Sequence, residues 1–341
     1  MRVSFVIPHR KNLVLLQAAV RSIRQQQTPD GRALEVIVVD NASTEGALAW
    51  AEAEGCVVIS MAANQGFGKA VNHGIRAGTG DWIVVMNDDV ELETDWLRQL
   101  EAALERTPAA WFVCGKTLQF AARGRVDGVG DAISKGGTAM RLGNGRADGD
   151  RFNVGRATFF PSATATAFRR TFFEQAGLFD ETFFAYLEDV DLGLRAALAG
   201  LAGTYAPAAR SYHHGSATGQ AWSADMVRWI TGHQLLLLAK FFPARLLLRN
   251  GWNILVAQSL WSGLAISRGQ SLAWVRGLAL GLRGARRARF DGRALRSRPE
   301  RLAAVLTSSE REIRSFQEST GLDRYWAWYF RLTQLPWRKL G

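Results

Sequence analysis

Apolar and polar positions alternate in blocks along the first 220 residues, and the blocks switch between two periods. Short, mostly apolar runs at 3–7, 34–39, 57–60 and 83–86 read as buried strands. Between them, apolar residues recur three and four positions apart. In 12–27, Leu13, Leu16, Val20 and Ile23 share one face of a helix, stopped by Thr28-Pro29-Asp30-Gly31. Ser43-Thr44 open a second helix through Ala53. Asn64-Gln65-Gly66-Phe67-Gly68-Lys69 is a glycine-bearing turn before a third helix at 70–77. Strict alternation of strand and helix predicts a Rossmann-like α/β domain, a mostly parallel sheet with helices on both faces. The spacing further predicts helices at 94–107, 171–176 and 188–199, and strands at 113–120, 163–169 and 203–206. Pro8 ends the first strand and Pro207 follows the last. The stretch 123–154 has little periodicity and reads as a loop or a β-excursion.

From residue 226 the pattern changes: apolar and aromatic residues are interleaved with arginines. Residues 250–267 carry no charge, but at 18 residues they sit at the lower edge of the roughly 17–25 needed to span a bilayer. Asn253, Gln258, Ser259 and Ser262 within the run favour an interfacial or re-entrant helix. Residues 271–289 are apolar on one side and Arg-rich on the other, the pattern of an amphipathic helix on an anionic membrane. Charge divides the chain at the same place. Residues 226–341 hold 20 Lys and Arg against 6 Asp and Glu, a net +14, whereas residues 1–225 hold 22 against 25, a net −3. A body at 1–225 and a helical, basic C-terminal region at 226–341 therefore follow, the second facing a polyanion. The two cysteines, Cys56 and Cys114, give no disulfide framework, as in a reducing compartment. The chain opens directly on a strand-like run without an apolar leader. The expected location is the cytoplasm, peripheral on the inner face of the membrane.

Candidate chemistry collects where apolar runs end. Asp40 ends the second strand and can accept hydrogen bonds from a base or a ribose, or cap the next helix. Gly66-Phe67-Gly68-Lys69 offers backbone N–H groups and a cation to phosphate at a helix start, without the spacing of a dinucleotide fingerprint. Asp88 and Asp89 follow the fourth strand in Asn87-Asp88-Asp89, where hard cations such as Mg²⁺ or Mn²⁺ bind through one or two carboxylates plus substrate phosphates. Glu188, Asp189 and Asp191 exceed what a helix dipole requires in one turn, and a carboxylate there suits a general base. His213 and His214 can complete a metal shell.

Taken in order, these residues resemble bacterial family-2 glycosyltransferases of the GT-A fold, with rhamnosyltransferase-like members the most similar. The resemblance rests on Val6-Ile7-Pro8, Val39-Asp40-Asn41-Ala42-Ser43-Thr44, Asn64-Gln65-Gly66-Phe67-Gly68 and Asn87-Asp88-Asp89-Val90. It continues in Gly177-Leu178-Phe179-Asp180-Glu181, Phe183-Phe184-Ala185-Tyr186-Leu187-Glu188-Asp189-Val190-Asp191-Leu192, Arg195 and Tyr212-His213-His214-Gly215, and covers roughly residues 1–220. It implies that Asp40 recognises a uracil or thymine ring and that Pro8, Asn64, Gly66, Gly68 and Lys69 line the nucleotide. It makes Asp89 the metal ligand, Asp189 the general base with Glu188 beside it, and His213 a late metal or diphosphate ligand with His214 the alternative. Many members have an apolar or proline residue in place of Asp88, so metal binding, ribose binding and a water-facing role all stay open for that residue, grouped here with the nucleotide contacts. The implied reaction moves a sugar, rhamnose among the candidates, from a UDP- or dTDP-linked donor to a glycan or polyprenyl-linked acceptor in cell-envelope polysaccharide synthesis, with inversion and a divalent cation. Two alternatives compete: a metal-dependent nucleotidyltransferase, disfavoured because Pro8-His9-Arg10-Lys11-Asn12 lacks glycine, and a nucleic-acid-binding protein, disfavoured because the basic region shows no such module. The sequence leaves the oligomeric state open.

Overall fold

The computed structural model describes residues 2–28, 31, 33–215 and 222–334. Pro29 and Asp30 of the expected helix stop, and Ser216 after the two histidines, lie outside them. The chain forms two compact units, Met1–Asp131 with Gly143–Gln220 and Ala132–Leu142 with Ala221–Gly341.

In the first unit, β1 (Val3–His9), β2 (Glu35–Asp40), β3 (Val57–Ser60) and β4 (Trp82–Met86) pair in parallel in the order β4-β1-β2-β3. The helices α1 (Leu13–Arg24), α2 (Ala47–Ala53) and α3 (Phe67–Ala77) connect them. Side chains alternate across each strand and so feed two cores. Phe5, Ile7, Val36, Val38 and Val84 pack with Leu16, Val20 and Ile23 of α1. Val6, Ile37, Val39, Ile83 and Val85 pack with Ala70, Val71 and Ile75 of α3. Both faces are apolar, so both carry helices. The strand expected to end at Pro8 runs on to His9. β4 pairs with β1 only from Val3 to Val6, so one edge of β1 is already unpaired at Pro8 and its missing N–H is tolerated.

Next come β5 (Val90–Leu92), α4 (Trp96–Arg106), β6 (Phe112–Gln119) and β7 (Ala122–Gly128). β8 (Asp131–Ile133) and β9 (Ala139–Arg141) form a separate two-stranded sheet, followed by β10 (Arg156–Thr158), β11 (Ala165–Arg169), α5 (Arg170–Ala176), α6 (Glu188–Ala199) and β12 (Gly203–His213). The stretch 123–154 is thus a β-excursion. Parallel neighbours need a crossover, and no α-helix lies between β6 and β11. β7 and β11 accordingly pair antiparallel with β6, and β11 with β4. The ten-stranded sheet is therefore mixed, parallel within β4-β1-β2-β3 and again between β6 and β12. β12 is longer than the strand expected at 203–206. A register shift between Ala206 and Arg210 absorbs Pro207 as a bulge, and the strand continues to His213.

The second unit contains α7 (Ala224–Phe241), α8 (Ala244–Arg249), α9 (Gly251–Ser267), α10 (Ser271–Asp291), α11 (Pro299–Thr320) and α12 (Arg324–Thr333). α7 and α10 lie close together because their contact is lined by glycine: a Cβ on Gly277 or Gly281 would strike the backbone of α7, and one on Gly232 would strike Leu280. The uncharged run forms α9, which buries Asn253, Val256, Ala257, Trp261 and Ala265. Among the described residues no helix is long and apolar enough to cross a membrane. α10 buries small residues, Ala273, Gly277 and Gly281, and leaves Leu272, Val275 and Leu282 at least half exposed.

Candidate active site

Parallel strands deliver their C-terminal ends to one edge of a sheet, where ligands bind in open α/β folds. Here β1 ends at His9, β2 at Asp40, β4 runs into Asn87-Asp88-Asp89, and β12 ends at His213. Hydrogen bonds link these ends into one arc. His9 lies in register with Asp40, and the Asn41 N–H donates to the His9 carbonyl at 2.7 Å. The Asn41 side chain holds the glycine turn, accepting from Gln65 N–H at 2.9 Å and donating to the Gly66 carbonyl at 3.2 Å. Asn64 Oδ1 accepts from Gly66 N–H at 3.2 Å. Phe67 N–H donates to the Phe184 carbonyl at 2.8 Å, four residues before α6. Gly66 sits at φ +90°, and a Cβ there would collide with that same carbonyl, so only glycine fits. Asn72 of α3 clamps the same segment through the Phe179 N–H and carbonyl, at 3.0 and 2.9 Å.

The expected nucleotide contacts lie along this arc. Asp40 is buried, and its Oδ1 accepts from Ser43 N–H at 2.9 Å, with no other side-chain hydrogen bond among the described residues. Pro8 and Lys69 are half-buried, and Lys69 has no ion pair among the described residues. Gly68 packs against Phe179.

The two carboxylates after β4 take different partners. Asp88 Oδ2 lies 2.7 Å from His9 Nδ1. Burial pushes the Asp88 carboxyl up, and the hydrogen bond and charge of His9 only partly oppose it. Asp89 Oδ1 lies 3.2 Å from His213 Nε2, and His213 Nδ1 lies 3.0 Å from Asp127 Oδ2 at the end of β7. Burial pulls the His213 imidazole down, but hydrogen bonds and charge from Asp127 and Asp89 outweigh it and raise it to about 9. His214 points elsewhere, with Nε2 2.8 Å from Glu91 Oε1 and its ring stacked 3.7 Å from Phe120. The expected metal ligands Asp89 and His213 thus face each other. A carboxylate behind the second nitrogen of a histidine is the usual support for a ligating imidazole. Among the described residues no three His, Cys, Asp or Glu side chains converge on a metal position. A cation held by Asp89 and His213 would therefore draw its remaining ligands from phosphate oxygens and water, as Mg²⁺ and Mn²⁺ sites commonly do, and the pair fits such an ion.

At the start of α6, Tyr186 and Leu187 have φ of 67° and 70°. Left-handed backbone at a non-glycine residue costs on the order of 1–3 kcal/mol and marks functional segments. Glu188 and Asp191 are buried, whereas Asp189 is half-buried and its Oδ1 accepts only from Val190 N–H, at 2.8 Å, among the described residues.

Residues 4–177, just over half the chain, match the glycosyl transferase family 2 profile. The chain belongs to glycosyl transferase family 2. Among curated proteins it is similar to the N-acetylglucosaminyl-diphospho-decaprenol L-rhamnosyltransferase of Mycobacterium tuberculosis, with 29% identity over 210 residues, 54% of this chain and 67% of that protein. It is also similar to the succinoglycan biosynthesis protein ExoO of Rhizobium meliloti, with 33% identity over 126 residues, 36% of this chain and 32% of that protein. Among solved structures, GalNAc-T7 with UDP, GalNAc and Mn²⁺ superposes at a TM-score of 0.56 and 14% identity, over 79% of this chain. This chain spans 55% of that structure, and the likeness concerns the GT-A fold. The comparisons favour neither a nucleotidyltransferase nor a nucleic-acid-binding protein.

Three residues of this glycosyltransferase's candidate site were not singled out from the sequence. His9 hides behind Pro8, the apparent strand end. Asn41 reads as part of a cap beside Asp40. Asp127 lies in the stretch without periodicity, where nothing in the sequence distinguishes it from its neighbours. Asp191, grouped with Glu188 and Asp189 by sequence, instead binds Arg195 Nε at 2.8 Å, and Arg195 also donates to the Ala176 carbonyl of α5.

Proposed function

We propose that this chain is an inverting, divalent-cation-dependent glycosyltransferase that moves a sugar from a UDP- or dTDP-linked donor to a hydroxyl of a glycan or polyprenyl-linked acceptor, in cell-envelope polysaccharide synthesis. The observation that carries the reading is the facing pair Asp89 and His213, braced by Asp127, on the same sheet edge as the glycine turn. The name of the mycobacterial relative supports rhamnose as the sugar and a diphospho-lipid as the acceptor. The neighbour solved with UDP and Mn²⁺ supports the nucleotide and the metal.

In this reading Asp40 receives the base, and the turn held by Asn41 and Asn64 lies along the nucleotide. Asp189, half-buried at a strained helix start, takes the proton of the acceptor hydroxyl. The acceptor oxygen bonds to the anomeric carbon as the bond to the diphosphate oxygen breaks, and the nucleoside diphosphate leaves from the opposite face, inverting the centre. Glu188, buried beside Asp189, completes the acidic helix start. His9 holds Asp88 in place beside the ligand Asp89. A cation held by Asp89 and His213 would supply charge stabilisation for the departing diphosphate. The reaction belongs to 1–225, and 226–341 rests on the inner face of an anionic membrane through exposed leucines set among arginines, Leu248, Leu255, Leu272 and Leu282 being 84, 57, 62 and 70% exposed. The test is a screen of UDP-, dTDP- and GDP-sugars with lipid-linked acceptors, in Mn²⁺, Mg²⁺ or EDTA, with product stereochemistry read by NMR. Transfer from one UDP- or dTDP-sugar with inversion, abolished by EDTA, is expected. Full transfer in EDTA or a retained configuration would overturn the reading.

A further inference from the structure

The helical unit holds a cavity of about 310 Å³, distinct from the catalytic edge. Its polar lining is Arg249 at the end of α8, Asn250 and Asn253 at the start of α9, Thr307 and Glu310 of α11, and Lys135 from the turn between β8 and β9. Glu310 is already engaged: its Oε2 accepts from the Tyr329 hydroxyl at 2.7 Å and from Lys135 N–H at 2.9 Å. Lys135 Nζ approaches Oε1 only to 3.5 Å and keeps 30% of its side chain exposed. Arg249 makes no ion pair or side-chain hydrogen bond among the described residues. The most telling group is Asn250. The residue is 8% exposed and lines the cavity, yet its side-chain amide has no protein partner among the described residues. Its amide atoms keep accessible surface, so they are open to a ligand or water in the cavity.

We propose that this cavity is a binding site for a phosphate or diphosphate group. Two cations and one carboxylate that is already hydrogen-bonded line the cavity, which leaves positive charge for an anion. Arg presents a fork suited to two oxygens of one phosphorus, and Lys adds a mobile point charge. The Asn250 amide supplies a neutral donor. At about 30 Å³ per water, the cavity has room for about ten waters, sufficient for a diphosphate with its hydration. Leu246, Leu306 and Ala303, with Thr333 and Gln334 at the end of α12, complete the lining. Leu248, next to Arg249, is 84% exposed, so the group could arrive free or at the end of a lipid. The proposal does not rest on the catalytic reading.

The test is isothermal titration of the full chain with inorganic pyrophosphate in EDTA, which silences divalent-dependent binding at Asp89. One site per chain is expected, weakened at least tenfold by Arg249→Ala and several-fold by Asn250→Ala. Arg249 is exposed, so its replacement leaves the fold intact, and circular dichroism checks both variants. Absence of saturable binding, or equal affinity in wild type and Arg249→Ala, would overturn the proposal. Sedimentation with phosphatidylglycerol vesicles identifies the source. Binding that pyrophosphate competes and Arg249→Ala weakens assigns the site to a lipid headgroup, and vesicle binding indifferent to both, with pyrophosphate affinity retained, assigns it to a free anion.

Discussion

The first turn of α6 carries three carboxylates, and the structure gives two of them opposite consequences. Asp191 is fully buried and its partner Arg195 is 11% exposed at the side chain, at 2.8 Å. Removing one partner of a buried pair leaves the other charge uncompensated, which costs about 3–5 kcal/mol. For a unit of this size each kcal/mol moves Tm by about 2–4 °C, so Asp191→Ala should lower the melting temperature by roughly 6–20 °C. Because Arg195 also ties α6 to Ala176 of α5, the loss should appear as early unfolding of the whole first unit. Asp189 has no such role: among the described residues its carboxylate accepts only the N–H of the next residue. Asp189→Asn keeps that acceptor and should melt within about 1 kcal/mol of wild type, since surface substitutions away from buried networks are near neutral. It should nevertheless lose turnover by a factor on the order of 10²–10⁴, the usual contribution of a general base, with donor affinity retained. The assays are thermal unfolding followed by circular dichroism, single-turnover transfer, and nucleotide titration. A stable Asp191→Ala protein, or an Asp189→Asn protein with near-normal transfer, would refute the division of roles.

Gly66→Ala should raise donor KM at least tenfold and cost about 1–3 kcal/mol of stability, since its φ of +90° and the Phe184 carbonyl exclude a side chain; unchanged donor KM would contradict the nucleotide role of the turn. In metal-free buffer, His213 contributes stability fully present below pH 6.5 and lost as pH rises through about 9, because its folded pKa lies above the unfolded one. The loss is roughly 3 kcal/mol and should vanish in His213→Gln, and urea midpoints measured from pH 6 to 10 with EDTA would expose the reasoning as wrong if the two proteins ran parallel. Vesicle co-sedimentation of Leu272→Ser/Leu282→Ser should fall several-fold without a change in fold, and binding to duplex DNA in place of anionic vesicles would count against the membrane surface.

Local signals and long-range ones differed in how far they could be read along the chain. The strand ends Asp40, Asp88 and Asp89 were legible because a buried parallel strand is an apolar run, and the first polar residue after it must lie at the sheet edge. The glycine turn was legible for the same kind of reason. Asp127 was not, because it reaches the site on an antiparallel hairpin whose strands alternate without a strong apolar face, and its role exists only through His213. His213 itself arrives by a bulge that lets β12 pass Pro207. Sequence spacing treats a proline as a stop; a ladder with a register shift does not.

The same contrast explains why spacing could find the acidic motifs while only the resemblance could rank them. Asp88 and Asp89 are adjacent and both buried, so composition and spacing treat them alike. What separates them is which neighbouring strand each one meets: β1 brings His9 to Asp88, and β12 brings His213 to Asp89. β1 comes from the start of the chain and β12 from beyond residue 200, so no local window contains either pairing. In an edge-of-sheet site the chemistry of a carboxylate is set by strand order. That order is long-range information, and a side chain such as His9, silent in the sequence, becomes the partner of Asp88.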